Sequence, residues 1–220
     1  MTVQEIHDTR RDVVMMGSVE FTSDKLDHDD AGLLTVAGVP SWQMPYGAFG
    51  TVDGDGHAVG GWFVRPYGPT NYAQSYCVLQ ALRRGLRDYP DGAKVKVVMD
   101  SPDAAAMLTA PVQDAQRTKL YREFPNGAQD VFEHRRRMTL THQPDVPAEG
   151  VRHQRGDVGH HPLMVAAHRL AYALLRFAET GAYLRVTDED WLADIIEHPS
   201  NKQRTVKRAV DQWLEERCTR

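Results

Sequence analysis

The residue best placed to do chemistry closes a short apolar run. Val95, Val97, Val98 and Met99 read as a buried strand, and Asp100 stands at its C-terminal end. Open parallel sheets bind ligands at that end, so Asp100 is a candidate site carboxylate. Its structural alternative is to cap a helix that begins at Pro102. Histidines collect further on, at His142, His153, His160, His161 and His168. Imidazoles ligate metals and move protons near neutral pH. His160, His161 and His168 with an acid would make a zinc site, although their spacing fits no familiar zinc pattern. Arginines group at Arg83, Arg84 and Arg87 and again at Arg135, Arg136 and Arg137; Lys202, Arg204, Lys207 and Arg208 follow in the tail. Such groups can track phosphates. In an acidic protein they are more often solvated faces beside acids. Trp42, Trp62 and Tyr67 offer surfaces on which bases stack, or simply core.

Several elements must position these groups. Tyr72, Tyr76, Leu79, Leu82 and Leu86 recur at helical spacing, with Thr70 or Asn71 as the N-cap and Pro90, Asp91 and Gly92 as the stop. Upstream, Val13 to Phe21 and Leu33 to Val39 read as strands, and Asp24 to Asp30 as an acidic loop between them. Tyr46 to Val52 and Ala58 to Val64 form a hairpin about Asp53-Gly54-Asp55-Gly56, since Asp-Gly is a strong turn signal. Pro102 to Leu108 suggests a short helix. Val112 to Arg137 is helical in composition, interrupted at Pro125-Asn126-Gly127, and Met138 to His142 reads as the last strand. Gln143 to Gly159 lacks periodicity and reads as a mobile loop. Pro162 to Thr180 is the clearest amphipathic helix, ended by Gly181. Beyond Val186 two short helices break at His198-Pro199-Ser200. Such a pair either docks on the domain or reads DNA as a helix-turn-helix.

The ordered set of Tyr46-Gly47-Ala48, Gly54-Asp55-Gly56, Thr70-Asn71, Asp100-Ser101, Gly159-His160-His161-Pro162 and Leu170-Ala171 resembles ribonuclease H. The matched region spans roughly Ala31 to Gly181. The resemblance implies an α/β fold: a ribonuclease H-like five-stranded mixed sheet with helices on both faces, plus a C-terminal helical hairpin. Residues 1–181 would form the domain, with an N-terminal strand extension, and 182–220 the helical extension. Enzymes of this family hold two divalent ions among clustered carboxylates, one activating water and the other stabilising the leaving oxygen. Four stations supply the ligands. The fourth-strand station matches Asp100. The first-helix station, normally Glu, falls on Ser75, which cannot replace a bidentate carboxylate at magnesium. The first-strand station falls on Ala37 if that strand is Leu33 to Val39, or on Asp24 if it is Val19 to Ser23; periodicity leaves both open. The last-helix station, normally Asp, falls on His168, and some branches of the superfamily use a histidine there. His142 or His153 matches a family histidine that helps proton transfer. Thr70, Asn71, His142, Arg135 and Arg136 are the implied nucleic-acid contacts.

Composition bounds these readings. At 220 residues the chain suits one domain with an extension, or two small ones, and its 41% hydrophobic content supports a real core. A net charge of −4 excludes a globally basic nucleic-acid binder, so any such site is local or uses metal ions. Cys77 and Cys218 are too few for a disulfide framework. No signal peptide or apolar span stands out, and a cytoplasmic setting is expected. The leading expectation is a divergent nuclease that uses Mg2+ or Mn2+ at Asp24, Asp100 and His168 on RNA/DNA hybrids or structured DNA. The alternative, motivated by Ser75 and Ala37, is a catalytically degenerate scaffold that binds nucleic acid or a protein partner.

Overall fold

The sheet is built on two long strands that each turn within themselves. The computed structural model describes residues 14–64, 73–145 and 161–180. Strand β1 is Val14–Pro40 and β2 is Tyr46–Val64. With β3 (Lys94–Met99) and β4 (Thr139–Pro144) they hydrogen-bond in the order β2-β1-β3-β4. In β2, the Thr51 hydroxyl donates to the Val59 carbonyl at 3.2 Å. Eight residues of straight strand would span about 26 Å, so β2 must double back between them. The fold-back sits at Asp53–His57. Asp53 Oδ1 accepts from the backbone N–H groups of Asp55 (3.0 Å) and His57 (2.8 Å), and Gly56 takes a φ of 78°. That left-handed conformation favours glycine.

Strand β1 wraps round this hairpin. Its outer arm, residues 14–22, pairs antiparallel with 57–64; its inner arm, 34–40, pairs antiparallel with 47–53. Register shifts between Thr22 and Leu34 carry it past the tip, where Asp27 pairs with Asp55 and Asp30 with Gly54. The stretch Asp24 to Asp30, expected as a loop, is therefore strand backbone bent about the hairpin. The inner arm pairs parallel with β3, Thr35 opposite Val98, and β3 pairs parallel with β4. From residues 57–64 through to β4 this gives a five-stranded mixed sheet. The outer arm lies on the edge of this sheet, beside residues 57–64.

Helices cover both faces. On one side lie α1 (Ala73–Gly85), α2 (Pro102–Thr109), α3 (Val112–Arg117), α4 (Lys119–Glu123) and α5 (Pro125–Arg137). They bury Tyr76, Leu79, Leu82, Met107, Leu120 and Phe132 against Leu34, Val36, Phe49, Val97 and Met99. On the other side α6 (Pro162–Thr180) buries Leu163, Ala166, Ala167, Leu170 and Leu174 against Leu33, Ala37, Ala48, Val52, Ala58 and Val98. Leu33 and Leu34 go to opposite cores, as the two-residue period of a strand requires. The interruption read at Pro125 falls between α4 and α5, and Pro125 opens α5, where its missing N–H costs nothing. Thr118 breaks the preceding run and caps α4 by accepting from Tyr121 N–H. Thr70, Asn71 and the expected helices beyond Val186 lie outside the described residues.

Helix α6 sits close because β2 offers it glycines. A Cβ at Gly50 would stand 2.2 Å from the Ala167 carbonyl oxygen, which belongs to helix backbone. At Gly60 the first obstacle is 2.5 Å away, but it is the flexible end of Leu174. Overpacking against backbone forces the helix to shift. Gly50→Ala is expected to lower stability by about 2 kcal/mol or more, and Gly60→Ala by less. Urea unfolding followed by circular dichroism checks this, and equal costs would contradict the helix placement.

Candidate functional site

Three parallel segments, the inner arm of β1, β3 and β4, end on the same side of the sheet, at Pro40, Met99 and Pro144. This is the end where such sheets bind ligands. Asp100 leaves β3 there, exposed, and its Oδ2 accepts from Gln74 Nε2 of α1 at 3.2 Å. Ser101, the next residue, is buried and serves two purposes. Its Oγ accepts from Ala104 N–H, capping α2, and its hydroxyl donates to Ser75 Oγ at 3.0 Å. Ser75 in turn donates to Asp103 Oδ2 at 3.3 Å. A chain of hydroxyls thus pins α1 to the start of α2, at the position where the resemblance to ribonuclease H led one to expect a ligand glutamate.

The strand register shows which residue of the inner arm falls beside the end of β3. Thr35 is opposite Val98, so two residues further along the pairing Ala37 stands level with Asp100. Ala37 is fully buried beneath α6. Asp24 lies between Thr22, paired with His57, and Asp27, paired with Asp55, at the far tip of the hairpin. Seven strand residues separate Ala37 from Asp30 alone, which is roughly 20 Å. The reading that joins Asp24 to Asp100 is therefore corrected: the bend in β1 sends Asp24 to the opposite end of the sheet.

His168 is exposed on α6, in line with exposed Tyr172 and Arg176 one and two turns on. Leu163, Ala167, Leu170 and Leu174 hold the sheet-facing side. His142 Nε2 is 3.5 Å from the Met99 carbonyl, a distance too long for a firm bond. The start of α6 is held by Asp145, whose backbone N–H donates to Met99 O and whose Oδ1 accepts from His161 N–H, each at 3.0 Å. His161 Nδ1 accepts from Leu163 N–H at 3.3 Å, so this imidazole is an N-cap. His153 and His160 lie outside the described residues. Among the described residues no group of three or more His, Cys, Asp or Glu side chains could hold a metal ion. The donor set at the four stations, one exposed carboxylate with a methyl group, an engaged hydroxyl and a helix-surface imidazole, does not fit a pair of magnesium ions.

The arginine groups are largely committed within the fold. Arg83 Nε donates to Asp130 at 2.7 Å, Arg84 pairs with Glu20 at 3.3 Å and Arg137 with Asp91 at 2.6 Å. Arg135 donates to the Met107 carbonyl and lies over the Phe132 ring, and burial lowers the pKa of its guanidinium. Arg136 is exposed. Trp62 meets Phe177 edge-on, whereas Trp42 is 69% exposed in the loop after β1.

A concave region lies away from these strand ends. A cleft of about 290 Å³ lies between the hairpin tip and the turn after α1, lined by Leu34, Asp53, Asp55, His57, Asp88 and Tyr89 among others. Burial raises the Asp53 pKa, against the lowering pull of the His57 and Asp55 N–H groups and of the His57 ring. His57 Nε2 is 3.1 Å from Glu20 Oε1. In sequence these residues signalled only a turn, because Glu20 reaches them through the wrapped outer arm.

Among known proteins, no family model and no curated sequence matches this chain. Ser101→Ala removes both the cap of α2 and the donor to Ser75, and is expected to cost about 1 kcal/mol. Ser75→Ala leaves the cap in place and is expected to cost less. Chemical denaturation of both variants checks the order, and a costlier Ser75→Ala would contradict it.

Proposed function

We propose that this chain is a ribonuclease H-like domain that has lost two-ion chemistry and serves as a scaffold for a protein partner. The observation that supports the reading is the parallel register, Thr35 opposite Val98; continued by two residues it sets a buried Ala37 level with Asp100. The fold-level likeness rests on the sheet, antiparallel in its first three segments and parallel in its last three, with α1–α5 on one face and α6 on the other. Two-ion hydrolysis needs several carboxylates converging on the reacting phosphate. Here the first-helix position is Ser75, tied into the hydroxyl chain, and the last-helix position is His168 on an exposed stripe.

A protein partner is favoured over nucleic acid by charge. The chain carries a net −4, and Arg83, Arg84 and Arg137 neutralise acids of the same fold. Phosphate binding would have to break those pairs. At the sheet end that carries Asp100, Trp42 is 69% exposed and Met44 37%. Exposed aromatic and methionine side chains are enriched at protein interfaces.

The test is an assay of RNA/DNA hybrid, duplex and branched substrates with Mg2+ or Mn2+, for the wild type and Asp100→Asn, with fluorescence anisotropy for binding. The expected result is no metal-dependent cleavage by either protein and only weak association at 150 mM salt. Cleavage lost in Asp100→Asn would restore the nuclease reading. Tight, salt-sensitive binding without cleavage would make nucleic acid the ligand of the scaffold.

A further inference from the structure

The contact between α1 and α5 contains a polar group that the site does not use. His134 is 9% exposed on α5, and its Nδ1 has no hydrogen-bond partner among the described residues. Gln80 Nε2, on α1, is buried in the same condition. Between the two helices Arg83 donates to Asp130 Oδ2 at 2.7 Å and to Gln80 Oε1 at 2.9 Å. The charged groups acting on the imidazole are Arg137, Asp130 and Glu133 of α5, and it hydrogen-bonds the Arg83 backbone of α1. Helix α1 carries Tyr76, Cys77, Arg83 and Arg84; helices α2 and α4 and strand β4 also pack on α5, and their titratable and charged residues are Asp103, then Lys119, Tyr121, Arg122 and Glu123, then His142.

The geometry points to an acid-sensitive latch: a proton added to His134 releases α5 from α1, while the sheet and α6 stay in place. A second proton on the ring would turn unpartnered Nδ1 into a buried, charged donor with no acceptor. Such a group is costly to bury. Asp130 offers little relief, because its carboxylate is already bridged by Arg83. Burial, first, and the charge of Arg137, second, hold the imidazole pKa below the ordinary histidine value, against weaker opposing pulls from the Arg83 backbone, Asp130 and Glu133. The released state therefore binds the proton more readily than the latched one. The latch holds above about pH 6.5, the value for a solvated histidine, and weakens as pH falls below it. Release also loosens the Arg135 bond to Met107 that ties α5 to α2.

Hydrogen exchange with mass spectrometry on the full chain tests this, with protection factors corrected for intrinsic exchange between pH 7.5 and 5.5. Protection in 125–137 is expected to fall below pH 6.5 by up to about tenfold per pH unit, while that in 94–99 holds. His134→Gln, which cannot take the proton, is expected to flatten the response. A titration of the wild-type imidazoles by NMR is the second readout, and His134 is expected to titrate below the ordinary value. Four outcomes would overturn the latch: pH-independent protection in α5, loss in step with β3, an unchanged response in the variant, or titration at or above the ordinary value. Should the variant not fold, the wild-type titration decides alone.

Discussion

The parallel pairing of the inner arm of β1 with β3 is the constraint on which the rest of the structure depends. With Thr35 opposite Val98, the inner arm can present only one residue beside Asp100, and that residue is alanine. The same pairing divides the cores, sending Leu34 and Val36 toward α1 and Leu33 and Ala37 toward α6. A one-residue slip would exchange those faces and bury nothing well on either side. The register is thus held by two hydrophobic cores at once, and the composition of the strand-end site is a consequence of packing.

Around that pairing β1 wraps the β2 hairpin. The outer arm of β1 pairs with the far side of the β2 hairpin, so both sides of the hairpin are bonded. Glycines at 50 and 60 let α6 approach the hairpin more closely than any side chain would allow. At the other end of α6, Glu179 accepts from the Ser41 hydroxyl at 2.5 Å, fastening the helix to the loop after β1. The hydroxyl chain of Ser101 and Ser75 and the N-cap of His161 do comparable work at the ligand end. Side chains that could have held ions there hold helices instead.

Much of this was legible in the sequence. The hairpin announced itself through Asp53-Gly54-Asp55-Gly56, β3 through its valine run, and α6 through an apolar stripe bounded by Pro162 and Gly181. These signals are local, and local chemistry fixes them. What escaped depends on contacts distant in the chain. Asp24 to Asp30 is acidic and lacks strand periodicity, yet the hairpin tip supplies backbone partners that hold it as strand. The choice between Asp24 and Ala37 is a question of register, which no single segment encodes. Glu20 and His57 meet across 37 residues, so their contact left no mark on either stretch. The arginine runs read either as a phosphate track or as faces beside acids, and the acids they meet, Asp91, Asp130 and Glu20, come from other elements.

The most direct measurement is the register itself, read from cross-strand nuclear Overhauser effects in isotope-labelled protein. Backbone contacts between Leu34 or Thr35 and Val97 or Val98, with Ala37 next to Asp100, are the predicted result. Contacts that bring residues 20–24 beside 97–100 would put Asp24 at the strand-end site and contradict the account.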